Sequence, residues 1–132
     1  SDHWLDGLMN AKRTNPKCVP TSLLVESGRL PSAMPEYVRD FGRTPDEFRL
    51  VEFEQYAASI RKPGDIQEGR LYMPILIDRQ EFFDVGSFPE CNPPGTTGDK
   101  DLIRRYTEAG FGHVTALGSV VYHVQCGEQE WP

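Results

Sequence analysis

Between residues 89 and 98 the chain reads PECNPPGTTG, and neither a helix nor a strand runs through a stretch so dense in proline and glycine. It divides the second half of the chain into a segment that must end before it and one that must begin after it. Before it, residues 71–77 (LYMPILI) form a short apolar run, which predicts a buried strand. Asp78 stands three residues ahead of Glu81, the spacing of a capping box, so residues 79–85 are expected to make one or two helical turns stopped by Gly86. After it, Asp99 and Asp101 head a helix whose Leu102, Ile103, Tyr106 and Ala109 share a face, with Gly110 as its stop. Two β-rich pieces follow, residues 113–117 and 120–124, the second carrying Tyr122 and His123 near its end. A loop, two carboxylates and a terminal histidine are thus expected within reach of one another.

Upstream, Trp4, Leu5, Leu8 and Met9 fall at helical spacing and Asn15-Pro16 ends the pattern, so residues 3–13 read as an amphipathic helix with its Trp face on a sheet. Residues 18–25 mix β-branched and apolar types around Pro20, the pattern of an edge strand or one with an irregular start. Residues 26–43 read as a long surface excursion with one turn at 36–40. Thr44, Pro45 and Glu47 supply an N-cap, a first-turn proline and a capping-box partner for a helix carrying Phe48, Val51, Tyr56 and Ile60. Lys62-Pro63-Gly64 stops that helix, and residues 64–69 are expected to turn into the strand at Leu71. No repeat or internal boundary is visible, so residues 1–132 are expected to be one domain.

The charge balance bounds the partners. With 14 basic against 20 acidic residues and a net charge of -6, and no basic run, the chain lacks the electrostatic footprint of a DNA- or RNA-binding protein. No apolar stretch approaches the roughly 18 residues of a membrane span, and the first residues lack the charged and apolar regions of a signal peptide. Three cysteines (Cys18, Cys91, Cys126) without a short paired spacing argue against a disulfide framework and for a reducing, cytoplasmic compartment.

The order of motifs carries a resemblance. Arg79, Phe82, Val85, Gly86 and Phe88 after the apolar run, then Asp99, Asp101, Leu102 and Arg105, then Ala109-Gly110-Phe111, then Val121-Tyr122-His123, resemble the acceptor half of a GT-A type glycosyltransferase, most closely the large inverting family 2. Trp4, Leu5 and Leu8 are similar to the W-L-x-x-L that follows that family's metal-binding D-x-D. Residues 29–68 have no counterpart. The resemblance implies a partial GT-A, Rossmann-like mixed sheet flanked by helices, without the N-terminal nucleotide-binding half, which is expected upstream of Ser1 or on another chain. It implies transfer of a sugar from a nucleotide-diphosphate donor to a glycan or other acceptor hydroxyl, dependent on Mn²⁺ or Mg²⁺. Asp99 then stands at the catalytic aspartate, Gly98 at the position where the family usually has Glu, and His123 at a metal-ligating histidine. Trp4, Gly98 and Asp101 are the corresponding candidates for contact with substrate.

Each assignment has a plainer alternative. Glycosyl transfer needs a base for the acceptor proton and a positive centre for the departing diphosphate, which carboxylates and a metal supply. Asp99 also reads as a cap on the helix it opens. Asp101 and Arg105 are four apart on that helix, so an ion pair explains both. His123 ends a strand, where side chains of open α/β sheets reach the ligand crevice or simply bond to backbone. Imidazole suits Mn²⁺ better than Mg²⁺. His123, Cys126 and His113 lack the second short-spaced pair of a zinc module, and Asp99, Asp101 and His123 lack the further carboxylates of a two-metal phosphoesterase. His3 and His113 read as surface residues, and Trp4 and Phe88 as core residues ahead of sugar platforms. A non-catalytic α/β binding module is the alternative to the enzyme as a whole.

Overall fold

The computed structural model describes residues 2–28, 34–88 and 98–125. Its centre is a pair of strands far apart in sequence. β1 (Cys18–Glu26) runs parallel to β3 (Gly112–His123), in register from Cys18 opposite Gly112 to Glu26 opposite His123. All nine residues of β1 are buried, the polar Thr21, Ser22 and Glu26 among them, so the strand shows no alternation of apolar and polar residues. The register slips once: Ala116 faces Ser22 but Val120 faces Leu23, so residues 117–119 bulge. That bulge joins the two expected β-rich pieces into one strand. A short β2 (Ile66–Glu68), in a stretch expected only to turn, pairs antiparallel with the other side of β3 and gives the order β1-β3-β2. The result is a small mixed sheet flanked by helices, an α/β fold as the sequence implies.

Residues 71–77 depart from the expected strand. Pro74 has no N–H to give to a ladder, and the segment meets β1 at isolated points: Ser22 N donates to Pro74 O (3.0 Å), Leu76 N donates to Pro20 O (3.0 Å), and Thr21 bridges Ile75. It is an extended strap along β1. The run is apolar because Leu71 is buried while Ile75 and Ile77 lie against the cluster under the last helix.

Helices cover both faces. Alternation along β1 sends Cys18 and Val19 to opposite sides: the Cys18 thiol lies 3.8 Å from Ala11 O, whereas Val19 packs with Leu102, Tyr106 and Phe111. α1 (Trp4–Thr14) docks through Leu8 and Ala11 against Ala116, and through Gly7, where an added Cβ would lie 2.4 Å from Gly118 C. The buried stripe is the one that Trp4 heads, on the sheet as expected. Trp4 shares the stripe of Leu8 but sits at the helix start, and stays 40% exposed. α2 (Leu50–Ile60) places Phe53 and Ala57 in the largest cluster, with Leu23, Val25, Leu117 and Val120. It begins later than Thr44-Pro45 implies. Thr44 caps only a 3-10 turn, Pro45–Glu47; Glu47 accepts from Arg43 N instead of closing the capping box, and Phe48 turns extended to stack its ring on Tyr122 at 5.2 Å. α3 (Arg79–Asp84) and α4 (Gly98–Glu108) complete the fold, and no described helix is long and apolar enough to cross a membrane.

Candidate functional site

The starts of α3 and α4 each carry an aspartate, and the two behave differently. Asp78 precedes α3 in extended backbone, and its Oδ1 accepts from Gln80 N (2.8 Å) and Glu81 N (3.1 Å), satisfying N–H groups that the helix leaves unpaired. Asp99 is instead the second residue of α4, and its Oδ1 accepts from the adjacent Lys100 N at 2.8 Å. That is not the reach of a cap, which spans two or three residues. Asp99 is partly exposed, and among the described residues it enters no ion pair.

Asp101, two residues on, is committed to the protein. Only 7% of it is exposed; Oδ2 accepts from Arg105 Nε at 3.0 Å and Oδ1 from Arg104 Nη2. The Arg104 hydrogen bond holds the carboxyl below the usual carboxylate range. Arg105 extends the chain of bonds: its Nη1 donates to Gly86 O (2.6 Å) and Ser87 O (3.1 Å). Asp101 therefore fastens α4 to the end of α3, the ion-pair alternative of the sequence with an added backbone anchor. It is not presented to substrate. Below it, Leu102, Ile103 and Tyr106 are buried, and desolvation pushes the Tyr106 phenol up to about 12.

The second candidate lies where β1 and β3 end together. His123 Nδ1 is 3.1 Å from Glu26 Oε2, and Gln125 Nε2 donates to the same oxygen at 2.9 Å. Glu26 is fully buried, while the His123 side chain is 38% exposed. The C-terminal edge of parallel strands is where α/β sheets place ligand sites. His123 with Glu26 behind it fits one ligand position of a divalent cation. Among the described residues no group of three or more His, Cys, Asp or Glu is placed to hold a metal, so the pair is not a complete site.

Among the described residues, the contacts from the start of α4 run to a different part of the sheet from the end of β3. Lys100 Nζ lies 5.6 Å from the Tyr72 ring, and Tyr72 packs on the His113 ring at 5.6 Å. His113, expected at the surface, is partly buried, with Nε2 2.6 Å from Leu71 O. It faces Val19, whereas His123 faces Glu26 seven residues further along β1, about 23 Å at strand rise. Contacts from the first turn of α4 thus lead to the near half of β3, and the expected gathering of Asp99, Asp101 and His123 is not seen.

The remaining candidates separate further. Gly98 opens α4, and Trp4 opens α1 on a different face of the sheet. Cys18 is a buried thiol pushed up by desolvation; Cys91, Cys126 and residues 89–97 of the proline- and glycine-rich stretch lie outside the described residues. Sequence reasoning missed Glu26, which reads as a surface charge ending a strand. No protein-family model matches the chain, and comparison with curated proteins and with solved structures finds no match either.

Proposed function

We propose that the chain is the acceptor-side part of a GT-A type, metal-dependent glycosyltransferase that moves a sugar, with inversion, from a nucleotide-diphosphate donor to a hydroxyl of a glycan or other acceptor. The observation that carries this reading is the division of labour at α4. Asp101 is tied to Arg104 and Arg105, while Asp99, two residues before it, accepts from the adjacent Lys100 N and among the described residues enters no ion pair. A partly exposed carboxylate with that freedom is suited to general-base work. The α/β class of the fold is compatible with the proposal.

In this reading Asp99 accepts the proton of the acceptor hydroxyl as its oxygen bonds to the sugar carbon. The bond from that carbon to the diphosphate oxygen breaks, and its electron pair leaves with the nucleotide. His123 would supply one ligand to a divalent cation. When bound, the cation offsets the charge that develops on the leaving diphosphate. Asp101 and Arg105 hold the first turn of α4 against the end of α3.

One observation favours the non-catalytic binding module: Gly98 occupies the place where the resembled family usually carries Glu. The test is a panel of nucleotide-diphosphate sugars incubated with the complete protein, nucleotide-binding half included, and a mixed glycan acceptor, with Mn²⁺ or with a chelator. Mn²⁺-dependent release of nucleoside diphosphate supports the transferase. Glycan binding without release from any donor supports the module and overturns the enzyme.

A further inference from the structure

α3 and the turn after it carry more aromatic surface than their packing uses. Phe82 lies partly buried against the cluster of Val19, Leu102, Tyr106 and Phe111. Phe83 is 54% exposed, and Phe88, expected in the core, is 44% exposed. Both contact Phe82 edge to face, with centroids 5.5 Å and 5.7 Å apart, so the three rings form one continuous surface. A contiguous apolar surface points to a ligand where a single exposed residue does not. This one is also held in shape. Ser87 has φ of 60°, a left-handed conformation rare outside glycine, and Arg105 Nη1 donates to the carbonyls of Gly86 (2.6 Å) and Ser87 (3.1 Å). Phe88 is thereby tied to α4, the helix that carries Asp99.

The polar groups beside the rings narrow the ligand. The Arg79 guanidinium lies 5.7 Å from the Phe83 ring, and Gln80 Nε2 donates to Asp84 Oδ1 at 2.8 Å, all three side chains being exposed. Glu81, on the same helix, is engaged by Lys12 at 2.7 Å. One cation, one anion and one amide leave the rim without a charge preference, while each can bond a hydroxyl. The electron-rich ring faces attract C–H groups. A neutral pyranose answers both demands, with C–H groups on its face and hydroxyls around its edge. We propose that Phe83 and Phe88 form the stacking platform for a neutral pyranose of the acceptor glycan, whose hydroxyls bond to Arg79, Gln80 and Asp84. The inference rests on the reading above that the acceptor is a glycan, and it applies to the transferase and to the binding module alike. Because the rings are fixed before the sugar arrives, little ordering opposes binding.

Calorimetric titration of the protein with cellohexaose, mannohexaose and chitohexaose reads the affinity for neutral sugars, with hexagalacturonate as the charged control. Wild type should bind at least one neutral oligosaccharide more tightly than the control. Phe83→Leu and Phe88→Leu, which keep apolar bulk and lose the ring, should each weaken that binding about three- to tenfold, while Phe83→Tyr and Phe88→Tyr should retain it. Phe83 is exposed, so its variants answer the question even if Phe88→Leu fails to fold. No binding of a neutral sugar, tighter binding of hexagalacturonate, or equal affinity in Phe83→Leu overturns the proposal. So does self-association of wild type that Phe83→Leu abolishes, which would assign the rings to a second copy of the chain. The enzyme reading is judged separately by transfer in the complete protein. Transfer with the acceptor KM unchanged in Phe83→Leu removes the platform and leaves the enzyme, whereas ring-dependent sugar binding without transfer removes the enzyme and leaves the platform.

Discussion

The starts of α3 and α4 use the same residue type for different purposes. At α3, Asp78 stands outside the helix and spends one carboxylate oxygen on two backbone N–H groups. At α4, Asp99 stands inside the first turn and among the described residues accepts from its neighbour's N–H, while the structural duties fall to Asp101. The two helices are also linked, since Arg105 of α4 grips the carbonyls of Gly86 and Ser87 just past the end of α3. An acidic residue at a helix start is thus not explained by the helix dipole alone. What its oxygens reach decides whether it holds the fold or is left for chemistry.

Asp99→Asn gives the largest expected effect: kcat for sugar transfer should fall about 10² to 10⁴-fold with donor affinity nearly kept, because proton transfer matters in the transition state. Stability should stay within about 0.5 kcal/mol, as for most exposed substitutions. Steady-state kinetics with denaturant unfolding checks both, and a large loss of stability would make Asp99 another Asp78. Next comes the link between the two helices. Gly86 has φ of 100° and an added Cβ there would lie 3.0 Å from Arg105 Nη1, so Gly86→Ala should cost about 2 kcal/mol in a urea titration. An unchanged midpoint would mean that the link contributes nothing.

Asp78→Ala should cost about 1 kcal/mol, the worth of an N-cap, and Asp78→Asn almost nothing. Equal losses in the two variants would show that charge, not capping, sustains α3. Asp101 offers a test by pH. Its folded pKa is depressed, so the stability it adds is present above its unfolded value, near 3.9, and is lost as the pH falls through the folded pKa. Thermal unfolding of Asp101→Asn should therefore fall below wild type at neutral pH and converge with it in strong acid. A constant offset at every pH would remove the ion pair from the account. The smallest effect is at Tyr106, whose Oη is buried without a hydrogen-bond partner among the described residues. Tyr106→Phe should be neutral or stabilising by up to about 1 kcal/mol, and a marked loss of melting temperature would indicate a partner for that hydroxyl.

Much of the fold was legible where a pattern repeats locally. The helical spacing of Trp4 and Leu8, the Asp78–Glu81 spacing and the Leu102–Tyr106 face each follow from contacts within a few residues. The errors fall where distant chain decides. Residues 71–77 look like a strand, yet Pro74 cannot join a ladder and β1 is met only at points. The 117–119 bulge and the three-residue β2 depend on register with partners that the local sequence does not reveal. The candidate site shows the same division. Asp99 and the Asp101–Arg105 pair were visible as helix spacing, but Glu26 was not, because its partner His123 lies 97 positions away and only the parallel pairing brings them together.

The comparison of the two helix starts reduces to one paired experiment. The single-turnover rate of sugar transfer, with donor and Mn²⁺ pre-bound, is measured for Asp99→Asn and Asp78→Asn beside wild type. The account expects the rate to collapse in Asp99→Asn and to stay at the wild-type value in Asp78→Asn, with both proteins as stable as wild type. Wild-type turnover in Asp99→Asn would contradict the central claim that α4 carries the catalytic base.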